Sequence, residues 1–283
     1  MRSLRIPGLI DLISVSDPAL VRSLADNPDL DRRNEGGPLL VRMIRRRLAQ
    51  TLKTPEGALP SNLPRGSGER STMRKDLVER LKDPDLDAAL NGAVEQCATF
   101  VEKGEGDPGL LAQTLFGRIF VADFAADIQT WEAAKTINQS LGTPSFRSLF
   151  SRLTGKLDQA QRVLSRAMAG DRSGVHAISV AVHNFAETLE TMRTLDRSTP
   201  AEQVVAVALV VPDRVVRQGA SIAETLAGRV RPGTLVILNV AEAQLRSPDP
   251  SIGFLRDAWS GCPAHAFVPH MITRIWIAAG GKS

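Results

Sequence analysis

Arg214-Val215-Val216-Arg217, Pro232-Gly233-Thr234-Leu235-Val236-Ile237-Leu238 and Gly261-Cys262-Pro263-Ala264-His265-Ala266-Phe267 follow one another in the last quarter of the chain. The first two segments read as strand, turn, strand, because β-branched residues favour a pleated backbone and Pro-Gly interrupts it. Arg214 and Arg217 carry forked donors that suit carboxylates bidentately. The third segment sets one cysteine between a loop and an apolar stretch, Ala264 to Ala279, that reads as a final helix. A thiolate at a helix N-terminus is stabilised by the amides and dipole there, and suits a metal ligand.

Upstream, Val204 to Val211 is another β-branched run and is expected to be a strand. Before it, Glu190-Thr191-Met192-Arg193 lies in the helical stretch Val175 to Leu195, with Glu190 and Arg193 on one face. Most of the remaining chain reads helical. Ser16-Asp17-Pro18 starts one helix with a capping residue and a proline just inside. Others are expected over Leu39–Leu52, Glu69–Leu81, Asp85–Lys103, Leu110–Ile137 (one helix or two, joined at Gly117) and Phe146–Met168. A Pro/Gly-rich linker runs from Thr54 to Gly68. The fold class is mainly α with a small β element (α+β). It is expected to be one domain over 1–283, mostly helical over 1–200, with the β element, cysteine loop and final helix over 201–283.

The composition agrees with that class. The 283 residues are 43% hydrophobic and 23% charged, which suffices for a packed core and argues against disorder. No apolar run reaches the roughly 18 residues of a membrane helix, so no membrane association is expected. Two cysteines, Cys97 and Cys262, are too few for a disulfide framework and point to a reducing cytoplasm. The net charge of +4 is modest, and the run Arg42-Met43-Ile44-Arg45-Arg46-Arg47 reads as a solvated helix face. With no nucleic-acid motif beside it, nucleic acid is set aside.

Taken in order, the C-terminal features resemble the C-terminal half of a cytochrome P-450, here a shortened and divergent one. That family has a helical Glu-x-x-Arg, matched by Glu190 and Arg193. It then has a propionate-binding arginine (Arg217) and a Pro-x-Gly-Thr-x-Val-like strand (Pro232, Gly233, Thr234, Val236). An Arg-Asp-Pro-like segment follows, matched by Arg246-Ser247-Pro248-Asp249-Pro250, and then the heme-ligating cysteine, Cys262. Ile13 to Arg22 is similar to the family's strand running into its second helix. Gly68 to Lys75 is similar to its Gly-Glu-x-His-x-x-x-Arg-Arg region, and Leu115-Phe116-Gly117-Arg118 to a recurrent helix end. In the cysteine loop Leu255, Ala258 and Ala264 replace the usual Phe and two glycines, and Ser260 replaces a basic residue. The chain is about a hundred residues short of the family, in the middle.

The resemblance implies a heme-thiolate oxidoreductase of monooxygenase, peroxygenase or rearrangement type, acting on a small apolar organic substrate. Heme b (iron protoporphyrin IX) is the implied cofactor and Cys262 its axial ligand. Arg70, Arg74 and Arg217 would hold the propionates, with His265 also on the cofactor side. Glu190 and Arg193 would brace the fold, with Arg246 or Arg256 as a candidate third member. His176 and His183, seven apart on one helix face, and Ser173 are the candidate acid–base or catalytic groups. A homodimer or another subunit would cover the shortened face, and a redox partner could supply electrons. The alternative is a non-catalytic relative that binds a partner enzyme.

Overall fold

The computed structural model describes residues 1–31, 36–142 and 154–283. Contacts divide the chain into two compact units. Unit 1 comprises residues 1–50, 62–71 and 211–265, and unit 2 comprises residues 51–61, 72–210 and 266–283.

Unit 1 is built on a sheet that pairs strands from the first 31 residues with strands from residues 214–239. Its strands are β1 (Arg2–Ile6), β2 (Ile10–Val15), β3 (Leu30–Asp31), β6 (Arg214–Gly219) and β9 (Leu235–Asn239), in the order β1-β2-β9-β6-β3. β2 and β9 run parallel, while β6 lies antiparallel to β9. The register aligns Ile13, Val236 and Arg217 in one row across three strands. Side chains alternate between faces of a sheet, so this row shares one face. Ile13 and Val236 are buried on it, and Arg217 is therefore carried into the interior. A small hairpin, β7 (Ala223–Thr225) with β8 (Gly228–Val230), links β6 to β9. The helices of this unit are α1 (Pro18–Asp26), α2 (Leu39–Thr51, its last residue in unit 2), α12 (Val240–Arg246) and α13 (Pro250–Phe254). α1 starts as expected: the Asp17 side chain accepts from the Leu20 amide at 3.0 Å, and Pro18 opens the first turn.

Unit 2 is helical apart from the two-residue pair β4 (Lys53–Thr54) and β5 (Gly57–Ala58), which fold part of the expected linker into a tight hairpin. α3 (Gly68–Leu81) crosses from unit 1 into unit 2. It is followed by α4 (Leu86–Ala89), α5 (Asn91–Lys103), α6 (Pro108–Gly117), α7 (Ile128–Leu141), α8 (Lys156–Ala167), α9 (Arg172–His176), α10 (Val182–Thr194), α11 (Ala201–Ala208) and α14 (Phe267–Ala278). The stretch read as one helix or two is two, α6 and α7. The beginning of the helix expected over Phe146–Met168 lies outside the described residues. A π-helical turn, Ala177–Ala181, joins α9 to α10. The core of the unit gathers Cys97 and Val101 of α5, Leu115 and Phe116 of α6, Phe185 and Leu189 of α10 and Trp276 of α14. Phe116 and Phe185 meet edge-on with ring centroids 5.0 Å apart. Among the described residues no helix is long and apolar enough to cross a membrane.

The strand expected over Val204–Val211 is instead α11. Its buried residues, Ala201, Val204 and Ala208, recur at helical spacing, and Val207 points to solvent at 58% exposure. Pro200 at the cap and Glu202 in the first turn favour a helix start, and packing of this stripe overrides the weak β preference of valine. Substituting Val204→Ala should lower stability by about 2 kcal/mol in denaturant unfolding. Val207→Lys, at a solvent-facing position, should leave it within about 0.5 kcal/mol.

Candidate cofactor site

The buried charged side chains among the described residues are Asp31, Arg45, Arg70 and Arg217, and all belong to unit 1. Arg217 comes from the inner row of the sheet, Arg70 from the first turn of α3 and Arg45 from α2. Val41 and Arg45 sit four apart on the buried face of α2, whereas Arg42 and Arg46 are exposed. Arg45 is thus a correction to the reading of this run as a solvated face. Asp31, at the end of β3, accepts from the Arg65 amide at 2.8 Å.

Among the described residues, three cations and one carboxylate are buried in unit 1. Burial, together with the neighbouring Arg70 and Arg45, pushes the Arg217 guanidinium down to about 9, against the pull of Asp31. Burial likewise pushes Arg45 down to about 10, again opposed by Asp31. Both remain charged at neutral pH. Arg217 donates through Nη1 to the Val216 carbonyl at 3.0 Å and through Nη2 to Ser260 Oγ. Its Nε is buried and has no hydrogen-bond partner among the described residues. Arg70 donates to the carbonyls of Leu63 and Trp259, both at 3.4 Å. A dianion that takes forked hydrogen bonds is the chemical complement of this set.

The Trp259 ring lies beneath three guanidinium groups, with Arg70, Arg217 and Arg65 at 4.4, 5.2 and 5.7 Å from its centroid. The same segment leads to the thiol. Gly261 is packed so tightly that a Cβ would lie 2.4 Å from the Leu255 carbonyl oxygen, and the Cys262 amide donates to the Phe254 carbonyl at 2.8 Å. Cys262 is a half-buried thiol outside any disulfide. It does not stand at a helix N-terminus as expected. Two turns intervene, α14 begins only at Phe267, and His265 Nδ1 lies 3.1 Å from the Cys262 carbonyl oxygen.

None of the other expected residues is among the buried charged side chains of unit 1. Arg74 is one turn further along α3, half-buried, in unit 2. Glu190 and Arg193 pair with each other at 3.4 Å on α10, each about half exposed, and α11 intervenes before β6. An exposed pair of this kind contributes little to stability. Arg246 pairs with Glu242 within α12. His176 and His183 do not share an α-helical face, because the wider π turn between them changes the register. His176 Nδ1 lies 3.4 Å from Ser61 Oγ. His183 stacks against Trp131 with its Nε2 buried and unpartnered, and burial pushes its pKa down. Ser173 lines a cavity of about 150 Å³ with Phe120 and the Arg80–Asp171 ion pair. Sequence reading missed Arg45, Asp31, Trp259 and Ser260. Only Arg45 left a signal: it falls four after Val41, on the apolar stripe.

No family model matches the chain, and no curated protein matches its sequence. Solved structures do. A cytochrome P450 of Thermus thermophilus, CYP175A1, aligns with 98% of this chain and 83% of its own at TM-score 0.66 and 14% identity. Mycobacterium smegmatis CYP164A2, solved with econazole bound, aligns with 98% of this chain and 85% of its own at TM-score 0.62 and 14% identity. Cytochrome P450EX alpha, solved with myristic acid, aligns with 97% and 82% at TM-score 0.64 and 12% identity.

Burial of Arg217 beside Arg70 and Arg45 gives a signed expectation for stability. Without an anion, Arg217→Met keeps the side-chain length, removes a buried repelling charge and should raise stability by about 1 kcal/mol, read from denaturant or thermal unfolding. Because the folded pKa of Arg217 lies below its unfolded value, the unfolded chain holds more protons between them. Raising pH upward from about 9 therefore favours the folded wild type, and the advantage of the variant should shrink as the pH rises.

Proposed function

We propose that this chain, whose fold is cytochrome P450-like, mainly helical with small sheets, is a heme-thiolate oxidoreductase of monooxygenase, peroxygenase or rearrangement type, acting on a small apolar organic substrate. The supporting observation is the burial of Arg45, Arg70 and Arg217 in one unit, with Arg217 tied through Ser260 to the segment that ends at Cys262. Iron protoporphyrin IX carries two carboxylates, which suit forked guanidinium donors, and its iron takes a thiolate ligand.

In this reading Arg217 and Arg70 orient the carboxylates, Arg217 through its unpartnered Nε, and Arg45 adds the third charge. Cys262 would supply a thiolate ligand to the iron, and His265 holds the turn that follows it. The bound group would supply oxidation chemistry, while the protein sets its ligand, burial and orientation. His183, packed against Trp131 with its pKa pushed down by burial, is a structural histidine in this scheme. A cytoplasmic location, a redox partner and a second copy or other subunit over the site complete the proposal.

The test is an absorption spectrum of the purified chain, reduced and with carbon monoxide. A thiolate-type Soret band that disappears in Cys262→Ala is the expected result. A colourless protein that takes up no added hemin would overturn the reading and favour a non-catalytic, partner-binding relative. Sedimentation of the pigmented protein then reads the covering copy: a monomer with heme bound is the adverse result.

A further inference from the structure

The sheet of unit 1 has a second face, turned away from Arg217. Alternation along the strands gives it Arg2 of β1, Leu12 and Ser14 of β2, Ile237 and Asn239 of β9 and Arg214 of β6. The register sets these side by side: Arg2 stands opposite Ser14, Ser14 beside Ile237, and Asn239 opposite Arg214. α12 follows β9 directly and adds Glu242 and Arg246, and together they line a groove of about 410 Å³. That volume falls in the range of small-molecule sites. Every lining residue belongs to unit 1.

Three guanidinium groups meet one carboxylate in this groove. The carboxylate is already engaged, because Glu242 pairs with Arg246 and accepts from the Ser16 hydroxyl. Among the described residues the Arg214 side chain has no hydrogen-bond or ion-pair partner, and Arg2 has the attraction of Glu242 but no ion pair. Ser14 Oγ accepts from Asn239 Nδ2 at 2.9 Å, which leaves its own O–H to donate. Leu12 and Ile237 make an apolar, half-buried floor. β1 and β6 are three strand spacings apart, about 14 Å, a span that two extended arginines can close on an anion between them. Donors rising from three strands suit a tetrahedral anion with three terminal oxygens better than a planar carboxylate with two. Two cations without an ion pair also match the double charge of a phosphate monoester at neutral pH.

We propose that this groove binds a small phosphate monoester, with Arg2, Arg214 and Ser14 Oγ on the phosphate and Leu12 and Ile237 under the organic part. The site is independent of the heme-thiolate reading.

Titration calorimetry on the chain compares phenyl phosphate, benzoate and inorganic phosphate at low ionic strength. Phenyl phosphate should bind about tenfold more tightly than benzoate, which offers one charge and two oxygens. It should bind about fivefold more tightly than inorganic phosphate, which leaves the apolar floor uncovered. Arg214→Gln should weaken phenyl phosphate about tenfold or more and Ser14→Ala about threefold. Equal affinity for all three anions marks an unspecific basic surface and overturns the inference. Parity of phenyl phosphate with inorganic phosphate removes the ester assignment, and no binding of phenyl phosphate removes the site. Full binding by Arg214→Gln, with loss in Arg217→Met, places the ligand on the other face and is equally adverse. Should Arg214→Gln fail to fold, the three-anion comparison and Ser14→Ala decide. Uptake of hemin bears on none of these outcomes, so the two proposals fail separately.

Discussion

Three buried guanidinium groups facing one buried carboxylate are the constraint around which the described part of unit 1 is arranged. Burying charge is costly, and like charges placed together cost more. A chain selected for stability alone would fill such a space with apolar side chains. Here Arg45, Arg70 and Arg217 converge from a helix, a helix start and a strand. They are restrained by carbonyls, by an indole and by Asp31. In the proposed reading the carboxylates of the ligand add to these restraints.

Strand pairing delivers the central arginine. Arg217 reaches the interior because β6 pairs antiparallel with β9, so that Arg217 stands opposite Val236 and in line with Ile13. Arg214, three residues earlier on the same strand, has the opposite parity and stays exposed. A one-residue slip of β6 would exchange the buried arginine for a neighbour and dismantle the cluster. The register is held at the β6–β9 end, where the Gly219 amide donates to the Thr234 carbonyl and Thr234 Oγ1 donates to Asp11 at 2.9 Å. Through β2 against β9, the N-terminal strands are therefore part of the site's framework.

Much of this is legible in the residues, for identifiable reasons. The order Arg217, Pro232-Gly233-Thr234, Cys262 can be read because each element depends on local chemistry: a strand, a turn and a loop. Glu190 and Arg193 satisfy the spacing of the family's pair, yet i,i+3 charges are common on any solvated helix, and here they lie half exposed with α11 between them and β6. The valine run at 204–211 misleads because propensity is a weak preference, while the burial of Ala201, Val204 and Ala208 along one stripe is a strong one. Trp259 and Asp31 leave no trace because their role arises only when distant segments meet. A lone tryptophan or aspartate in a loop carries no periodic signal.

The cluster also accounts for a departure that the sequence alone makes look like erosion. In the resembling family the residue two before the cysteine is usually basic, and here it is Ser260. Arg217 Nη2 donates directly to Ser260 Oγ, at a position where a second cation would face a guanidinium already crowded by Arg70 and Arg45. With Arg45 supplying a positive charge from α2, a further basic side chain at 260 would add repulsion without adding a site for a third carboxylate. An acceptor is what that geometry needs. Serine meets it with a short side chain that keeps Trp259 against the arginines and leaves Gly261 its tight turn. The loss of the family's basic residue is thus physically matched to the presence of a buried arginine elsewhere, and it does not by itself argue against anion binding at this site.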